Sequence, residues 1–212
     1  MYSPEFEVNG SSKPVTGRCK PEAGSNLKAQ VRSRVRSLRR QLAGTEKERM
    51  DEQILRQLFL LKELAEADVI YSYMSFGGEV DTVRLTEALW SLGRQVAVPR
   101  VEGDQIRFYL VSRMEELAPG CRGILEPLEG CEPAADLQAP VITPGMAFSL
   151  DGGRIGYGGG YYDRFFEKEP QHMRIAAAYP FQVYEKLQTE ALDRRVHRIV
   201  TPDRVYVTGA GY

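Results

Sequence analysis

A glycine-rich segment, "GGRIGYGGGYYDRFF" at residues 152–166, combines six glycines with three tyrosines and an Asp-Arg pair. Glycine lets backbone N–H groups turn toward an anion without a Cβ in the way. A helix predicted to begin near Tyr161 adds the partial positive charge of its amino terminus. Asp163 is a hard oxygen ligand suited to Mg²⁺ beside phosphates. The segment therefore favours phosphate binding.

The glycine spacing matches no standard nucleotide-binding motif. Gly156, Gly158 and Gly160 give GxGxG instead of the GxGxxG of a Rossmann fold, and the GK[ST] of a P-loop is missing. A flexible surface loop is thus an alternative interpretation. The rings of Tyr157, Tyr161 and Tyr162 favour a binding site, because a linker would not carry them.

A basic segment at residues 28–40 contains six basic residues and no acidic one. Lys28 and Arg32 lie one turn apart on one face of a predicted helix. A solvated helix face or an RNA-binding patch is the alternative interpretation.

The elements that would position these residues follow from hydrophobic periodicity. Apolar residues at helical spacing predict a helix from Leu27, after a flexible leader at residues 1–26, and a second helix follows. Strands such as "DVIYSYM", "APVITP" and "RIAAAY" then alternate with helical segments. This order predicts a single α/β domain at residues 27–212, a three-layer α/β/α fold with helices on both faces of a mostly parallel sheet. Ligands bind such sheets at the carboxyl ends of strands, where the glycine-rich segment lies.

Two other stretches are predicted from local pattern alone. Residues 119–140 contain several Pro and Gly with no clear period, which predicts a loop. "FQVYEKL" predicts a short helix.

The overall composition narrows the class of protein. A net charge of −1 gives no general attraction to nucleic acid or membrane. The cysteines, Cys19, Cys121 and Cys131, form no CxxC pair, so neither a zinc site nor a disulfide framework is indicated. No apolar run approaches the roughly 18 residues of a spanning helix. A soluble, cytoplasmic, monomeric protein is expected.

Several motifs together resemble a known family. "PGMAFSLDGGRIGYGGGYYDRFF" is similar to the signature of the 5-formyltetrahydrofolate cyclo-ligase family, also called methenyltetrahydrofolate synthetase. The similarity extends from Lys28 to about Val205 through "KAQVRSRV", "YMSFGGEVDT", "VPRV", "GILEP" and "LDRRVHRIVTP". The resemblance implies an ATP- and Mg²⁺-dependent ring closure. ATP phosphorylates the formyl oxygen of 5-formyltetrahydrofolate, with or without a polyglutamate tail, and 5,10-methenyltetrahydrofolate, ADP and phosphate result.

The resemblance also implies roles for individual residues. Asp163 and Asp193 would bind Mg²⁺, and Arg154 and Tyr161 would act in catalysis. The implied substrate contacts are Met74, Glu79, Tyr157 and Tyr161. The implied ATP contacts are Lys28, Arg32, Arg154, Gly156, Tyr157, Gly158, Gly159, Gly160, Tyr161 and Tyr162. Tyr73 and Phe76 are candidates for the same folate pocket or for the core.

Other interpretations remain open for several of these residues. Without the resemblance, Glu79 would be an exposed loop acid and Asp193 a helix cap or turn residue. The remaining arginines of the basic segment, Arg34, Arg36, Arg39 and Arg40, are expected at the surface.

The sequence also departs from the family pattern. Gly159 stands where many family members have Lys, and His197 where some have a second acid, so the role of His197 is open. His172 is expected to be solvated. One alternative function is a non-catalytic nucleotide- or RNA-binding relative that uses the basic helix of residues 28–40. Another is a related ATP-dependent enzyme that acts on a different amide-bearing metabolite.

Overall fold

The computed structural model describes residues 23–190 and 193–209. Its α-helices are Ala23–Gln41 (α1), Gly44–Phe59 (α2), Lys62–Ala65 (α3), Thr82–Ser91 (α4) and Tyr161–Lys168 (α5). The strands are Val69–Tyr71 (β1), Gln95–Glu102 (β2), Gln105–Val111 (β3), Leu117–Pro119 (β4), Leu125–Pro127 (β5), Val141–Ile142 (β6), Ala147–Ser149 (β7), Arg154–Ile155 (β8), Arg174–Ala177 (β9), Val183–Tyr184 (β10), Arg198–Val200 (β11) and Val205–Val207 (β12).

The main sheet has the strand order β12-β11-β9-β6-β1-β2-β3. Its inner pairs are parallel, and the pairs at the two edges, β11 with β12 and β2 with β3, are antiparallel. The mostly parallel sheet predicted from the alternating pattern is therefore confirmed.

Helices cover both faces of this sheet. Ile70 of β1 packs in the same cluster as Ile54 of α2 and Leu85 of α4. Its neighbour Tyr71 packs in a second cluster with Phe165 of α5. Successive residues of a strand point to opposite faces, so these clusters lie on opposite sides of the sheet. The three-layer arrangement follows from this alternation.

A smaller sheet, ordered β10-β7-β8, carries the first part of the glycine-rich segment. Helix α1 packs against it through Val35, which lies in one cluster with Met146 and Ile155. This packing brings the basic residues of α1 to the glycine-rich segment.

Local details differ from the sequence-based predictions. The first helix begins at Ala23, within the proposed leader, whose residues 1–22 lie outside the described part of the chain. Residues 119–140 are not all loop, because β4 and β5 form an antiparallel hairpin there. The predicted helix "FQVYEKL" is wrong: a 3₁₀ turn, Pro180–Gln182, leads into β10, which pairs with β7.

Within residues 23–190 and 193–209, no helix combines the length and apolarity that crossing a membrane requires.

Candidate active site

One cavity of about 410 Å³ collects the residues predicted to be functional. It is bounded by α1, the segment that follows β1, the hairpin β4–β5 and the glycine-rich segment. Every site residue proposed from the sequence lines it: Lys28, Arg32, Met74, Glu79, Arg154, Gly156, Tyr157, Gly158, Gly159, Gly160, Tyr161, Tyr162, Asp163 and Asp193. Residues far apart in the chain therefore share one binding space.

The glycine-rich turn depends on glycine at two positions. Gly158 has φ 105° and Gly160 has φ 69°, both in the left-handed region that residues with a Cβ seldom adopt. Gly160 directly precedes α5, so this conformation turns the chain into the helix. The amino terminus of α5 thereby faces the cavity with its partial positive charge.

Gly159 is limited by a neighbouring ring instead. A Cβ at this position would lie 2.8 Å from Cδ2 of Tyr161. The Tyr161 ring thus occupies the space into which a side chain at position 159 would begin. A lysine here would require Tyr161 to move.

Arg154 and Asp163 form an ion pair at the glycine-rich side of the cavity. Nη2 of Arg154 donates to Oδ1 of Asp163 at 2.6 Å, and the backbone N–H of Arg194 donates to the same oxygen at 3.0 Å. The Arg154 side chain is 3% exposed and that of Asp163 is 24% exposed. The carboxylate is therefore the partner that reaches the cavity more openly.

Lys28 forms a second ionic cluster. Its Nζ donates at 2.8 Å to Asp193 and at 2.8 Å to Glu190. Burial alone would lower the Lys28 pKa, but the hydrogen bonds and charges of Asp193 and Glu190 outweigh it, and the pKa is raised. Lys28 is therefore a protonated cation at neutral pH.

Arg32 is less occupied than the other two cations. Its Nε donates to the carbonyl of Gly156 at 2.8 Å. Among the described residues its two Nη groups have no hydrogen-bond partner, and Nη2 would lie 3.9 Å from a Cβ built on Gly158. Its guanidinium therefore lies beside the glycine turn with donors available for an anion.

The residues proposed for Mg²⁺ do not form a closed metal cage. In the described ranges, no group of three or more His, Cys, Asp or Glu side chains is arranged to hold a metal ion. Asp163 and Asp193 each engage one carboxylate oxygen with the described residues. Mg²⁺ commonly binds one or two carboxylates together with substrate phosphates and water, and this pair of carboxylates fits that pattern.

A second group of residues that line the cavity, here called its apolar side, consists mainly of apolar and aromatic side chains. Tyr73, Met74 and Phe76 follow β1, and Ile124 and Leu125 come from the hairpin β4–β5. Tyr73 and Phe76 were candidates for the pocket, and both line it. The hairpin residues were missed because their segment was predicted to be an unstructured loop.

Glu79 is a buried carboxylate at this apolar side. Its side chain is 4% exposed, so the alternative interpretation as an exposed loop acid is wrong. Oε2 accepts from the backbone N–H of Phe76 at 3.0 Å, and Oε1 accepts from the Tyr157 hydroxyl. Burial raises the Glu79 pKa, while the charge of Arg39 and the hydrogen bonds from Tyr157 and Phe76 act against the rise.

Arg39 corrects a second expectation. It was assigned to the surface with Arg34, Arg36 and Arg40, but it is 5% exposed, whereas those three are exposed as predicted. The sequence did contain a sign of this burial: Arg39 comes four residues after the apolar Val35 and therefore lies on the same helix face. Lys28 and Arg39 are buried, so two of the six basic residues of this segment are not displayed on the surface of α1.

The two histidines have structural contacts. His172 was expected to be solvated, but it is fully buried, stacks on Phe165 and has Nδ1 2.8 Å from the carbonyl of Ala139. His197 is 3% exposed, and its Nδ1 accepts from the backbone N–H of Arg174 at 2.9 Å.

Comparisons with known proteins identify the family of the chain. The sequence model described as the 5-formyltetrahydrofolate cyclo-ligase family matches residues 24–202. A 5-formyltetrahydrofolate cyclo-ligase of Escherichia coli K12 is 30% identical over 181 residues, which cover 81% of this chain and 98% of the relative. The enzyme of that name from Haemophilus influenzae is 29% identical, with coverage of 77% and 91%.

A solved structure supports the same relationship. The 5,10-methenyltetrahydrofolate synthetase of Aquifex aeolicus superposes with a TM-score of 0.78 at 34% identity, over 88% of this chain and 95% of that one. The family match covers most of the sequence, and the resemblance noted from the motifs is confirmed. The chain belongs to the 5-formyltetrahydrofolate cyclo-ligase family.

Proposed function

We propose that this enzyme converts 5-formyltetrahydrofolate to 5,10-methenyltetrahydrofolate with ATP and Mg²⁺. The terminal phosphoryl group of ATP goes to the formyl oxygen, and the nitrogen at position ten then attacks the formyl carbon. The carbon–oxygen bond breaks, phosphate leaves with that oxygen, and the attacking nitrogen loses its proton. Phosphoryl transfer of this kind relies on positioning and charge neutralisation, so no nucleophilic side chain is needed.

The observation that carries the proposal is the division of one cavity into two chemically different sides. One side offers glycine backbone, the amino terminus of α5 and the cations Lys28, Arg32 and Arg154. The other offers apolar and aromatic side chains around the carboxylate of Glu79. A polyphosphate fits the first side, and a flat pterin with a hydrogen-bonding edge fits the second.

The cations on the phosphate side differ in how many hydrogen-bond partners they already have. Lys28 and Arg154 are paired with carboxylates, whereas Arg32 keeps two Nη groups without described partners. In the proposal Arg32 therefore binds phosphate first. Arg154 stabilises the charge that develops on the transferred group, and the backbone of the glycine turn holds the polyphosphate.

Mg²⁺ would be held by Asp163 and Asp193 together with phosphate oxygens. When bound, the ion supplies charge neutralisation for the transferred phosphoryl group. Arg154 and Lys28 already neutralise the two carboxylates, so these cations are placed to move to phosphate oxygens when the carboxylates take the metal.

On the folate side, Glu79 would recognise the pterin edge. The aromatic rings and the hairpin β4–β5 would enclose the pterin. A carboxylate accepts paired hydrogen bonds from an amino-pyrimidinone edge much as it does from a guanidinium. Met74 and Tyr157 would contact the pterin, and Tyr161 would lie between the two substrates near the reacting atoms.

A direct assay tests the proposal. The complete chain is incubated with ATP, Mg²⁺ and 5-formyltetrahydrofolate, and the near-ultraviolet absorbance of the methenyl product is followed together with release of ADP. One ADP is expected per methenyl product, and product formation should stop when Mg²⁺ is chelated. Protein that is folded and binds ATP but yields no methenyl product would remove this function.

A further inference from the structure

The buried arginine of α1 lies behind the cavity, on the far side of its folate-facing carboxylate. Arg39 is 5% exposed and does not line the cavity. Its neighbours Arg36 and Arg40 are exposed. A guanidinium is costly to bury, so the contacts that hold this one indicate what it does.

Those contacts converge on two residues of the site. Nη1 of Arg39 donates to the Tyr157 hydroxyl at 2.5 Å and lies 3.8 Å from Oε1 of Glu79. The Tyr157 hydroxyl donates in turn to the same Oε1. Nη2 is held by the carbonyl of Gly145 at 2.8 Å. Arg39, Tyr157 and Glu79 thus form a chain that ends at one carboxylate oxygen.

The backbone that carries Glu79 is fitted to α1 at this arginine. Gly78 has φ 77°, and a Cβ added to it would lie 3.3 Å from Cβ of Arg39. The turn of residues 77–79 therefore packs closely on the helix, and Glu79 reaches Arg39 over a short path.

The groups that face Glu79 come from several elements. Arg39 of α1 is the cation among them, and the others are tyrosines: Tyr73 after β1, Tyr157 of the glycine-rich segment and Tyr162 of α5. Burial raises the pKa of each of these tyrosines, so they stay neutral at physiological pH. Among the described residues, Arg39 is the positive charge that offsets the burial of the carboxylate.

We infer that Arg39 is a positioning residue for folate recognition: it keeps Glu79 an ionised carboxylate and fixes the Tyr157 hydroxyl against Oε1. Arg39 itself touches no substrate. The inference rests on the proposed function, because it assigns the Glu79 carboxylate to the pterin edge. It adds that pterin affinity is controlled from outside the cavity, by a charge on the helix that also carries the phosphate-binding residues.

The test is equilibrium binding of 5-formyltetrahydrofolate, and separately of ATP with Mg²⁺, to Arg39→Met, Arg39→Lys and the matched exposed variant Arg36→Met. Arg39→Met should weaken folate binding by about tenfold at alkaline pH, the size expected for losing a charge-assisted interaction. ATP affinity should stay within about twofold of the wild-type value, because Arg39 makes no contact with ATP and a lost contact would weaken binding by more than that. Arg39→Lys should restore part of the folate affinity, and Arg36→Met should bind both ligands normally.

A pH profile separates positioning from a general structural role. Removing Arg39 takes away the charge that opposes the rise of the Glu79 pKa, so that pKa should rise further. From about pH 8.5 down to about pH 6, a range that raised carboxyl pKa values can reach, the affinity ratio of wild type to Arg39→Met should grow. Protonation of the ligand affects wild type and variant equally, so it cancels in the ratio of their affinities. A constant ratio, or equal losses for ATP and folate, would overturn the inference.

A double variant keeps the test decisive where Arg39→Met alone unfolds. Arg39→Met with Glu79→Gln removes both charges and leaves no unpaired carboxylate in the interior. If Arg39 acts through Glu79, the double variant should bind folate about as weakly as Glu79→Gln alone, within about twofold. A further loss of about tenfold would show an independent role and contradict the inference. Wild-type protein that fails to bind 5-formyltetrahydrofolate defeats the proposed function itself, whereas normal wild-type binding with unaltered Arg39 variants defeats only this inference.

Discussion

The two sides of the cavity hold their carboxylates in different ways. On the phosphate side, Asp163 and Asp193 are 24% and 19% exposed, and each is paired with a cation that also lines the cavity. On the folate side, Glu79 is 4% exposed, and its cation Arg39 lies behind it. In the proposed function, carboxylates of the first kind would take the metal as the reaction proceeds, while their cations move to phosphate oxygens. In the proposed function, a carboxylate of the second kind would stay fixed and bind one edge of the pterin.

The largest effect is expected when the negative charge of Glu79 is removed. Glu79→Gln keeps the size of the side chain but exchanges one acceptor oxygen for a donor NH₂ facing the pterin edge. We expect kcat/KM for 5-formyltetrahydrofolate to fall on the order of a hundredfold, since two charge-assisted hydrogen bonds are lost, with ATP affinity nearly unchanged. Steady-state kinetics with either substrate varied would measure this. Glu87→Gln, an exposed substitution on α4, is the control. An equal loss for both substrates would contradict the division of the cavity.

The next effect is expected at the exchangeable pair Arg154–Asp163. Asp163→Asn removes a proposed metal ligand and leaves the 3% exposed guanidinium of Arg154 without its carboxylate. The Mg²⁺ concentration for half-maximal rate should rise on the order of 10- to 100-fold. Turnover at saturating Mg²⁺ should also fall. Magnesium titrations of the initial rate test this, with Asp203→Asn on the exposed surface as the control. An unchanged magnesium requirement would refute the ligand assignment.

A smaller effect is expected at Arg32, whose two Nη groups have no hydrogen-bond partner among the described residues. Arg32→Met should weaken ATP binding by about tenfold, because it removes a charge-assisted contact to phosphate, whereas its partner among the described residues is the Gly156 carbonyl. Arg34→Met, two residues away and exposed, provides the matched control for charge on α1. If both variants weaken ATP equally, α1 contributes only diffuse positive charge. Binding of ATP with Mg²⁺ by calorimetry at fixed salt would distinguish the two outcomes.

The residues that line the proposed phosphate side could largely be picked out from the sequence, because their types are unusual for their setting. Clustered glycines followed by tyrosines and Asp163 indicated an anion site, and the family motifs joined distant positions such as Lys28 and Asp193. The alternation of strands and helices predicted the parallel sheet, because period 2 and period 3.6 differ clearly in the hydrophobic pattern. These inferences depend on local order along the chain.

The surroundings of Glu79 were not predictable in the same way. Arg39 looks like its neighbours in the sequence, and it is buried against residues distant in the chain that adjoin the small sheet β10-β7-β8, whose strands have two or three residues. Strands this short leave little periodicity to read. His172 was misjudged for a related reason, since its burial depends on packing against Phe165 and Tyr71 from distant elements.

The smallest effect is expected at Glu190, one of the two acids that bind the ammonium group of Lys28. Glu190 is 70% exposed and Asp193 is 19% exposed, although both oxygens lie 2.8 Å from Nζ. An exposed ion pair contributes little because water and salt screen it, so Glu190→Gln should change ATP affinity and magnesium dependence by less than about twofold. Asp193→Asn should raise the magnesium requirement as Asp163→Asn does, since it removes a proposed ligand. Magnesium titrations of the two variants compare two acids that lie at the same distance from Nζ of Lys28 but differ in exposure. Equal effects would mean that distance to Lys28, and not enclosure beside the metal position, decides what these acids do.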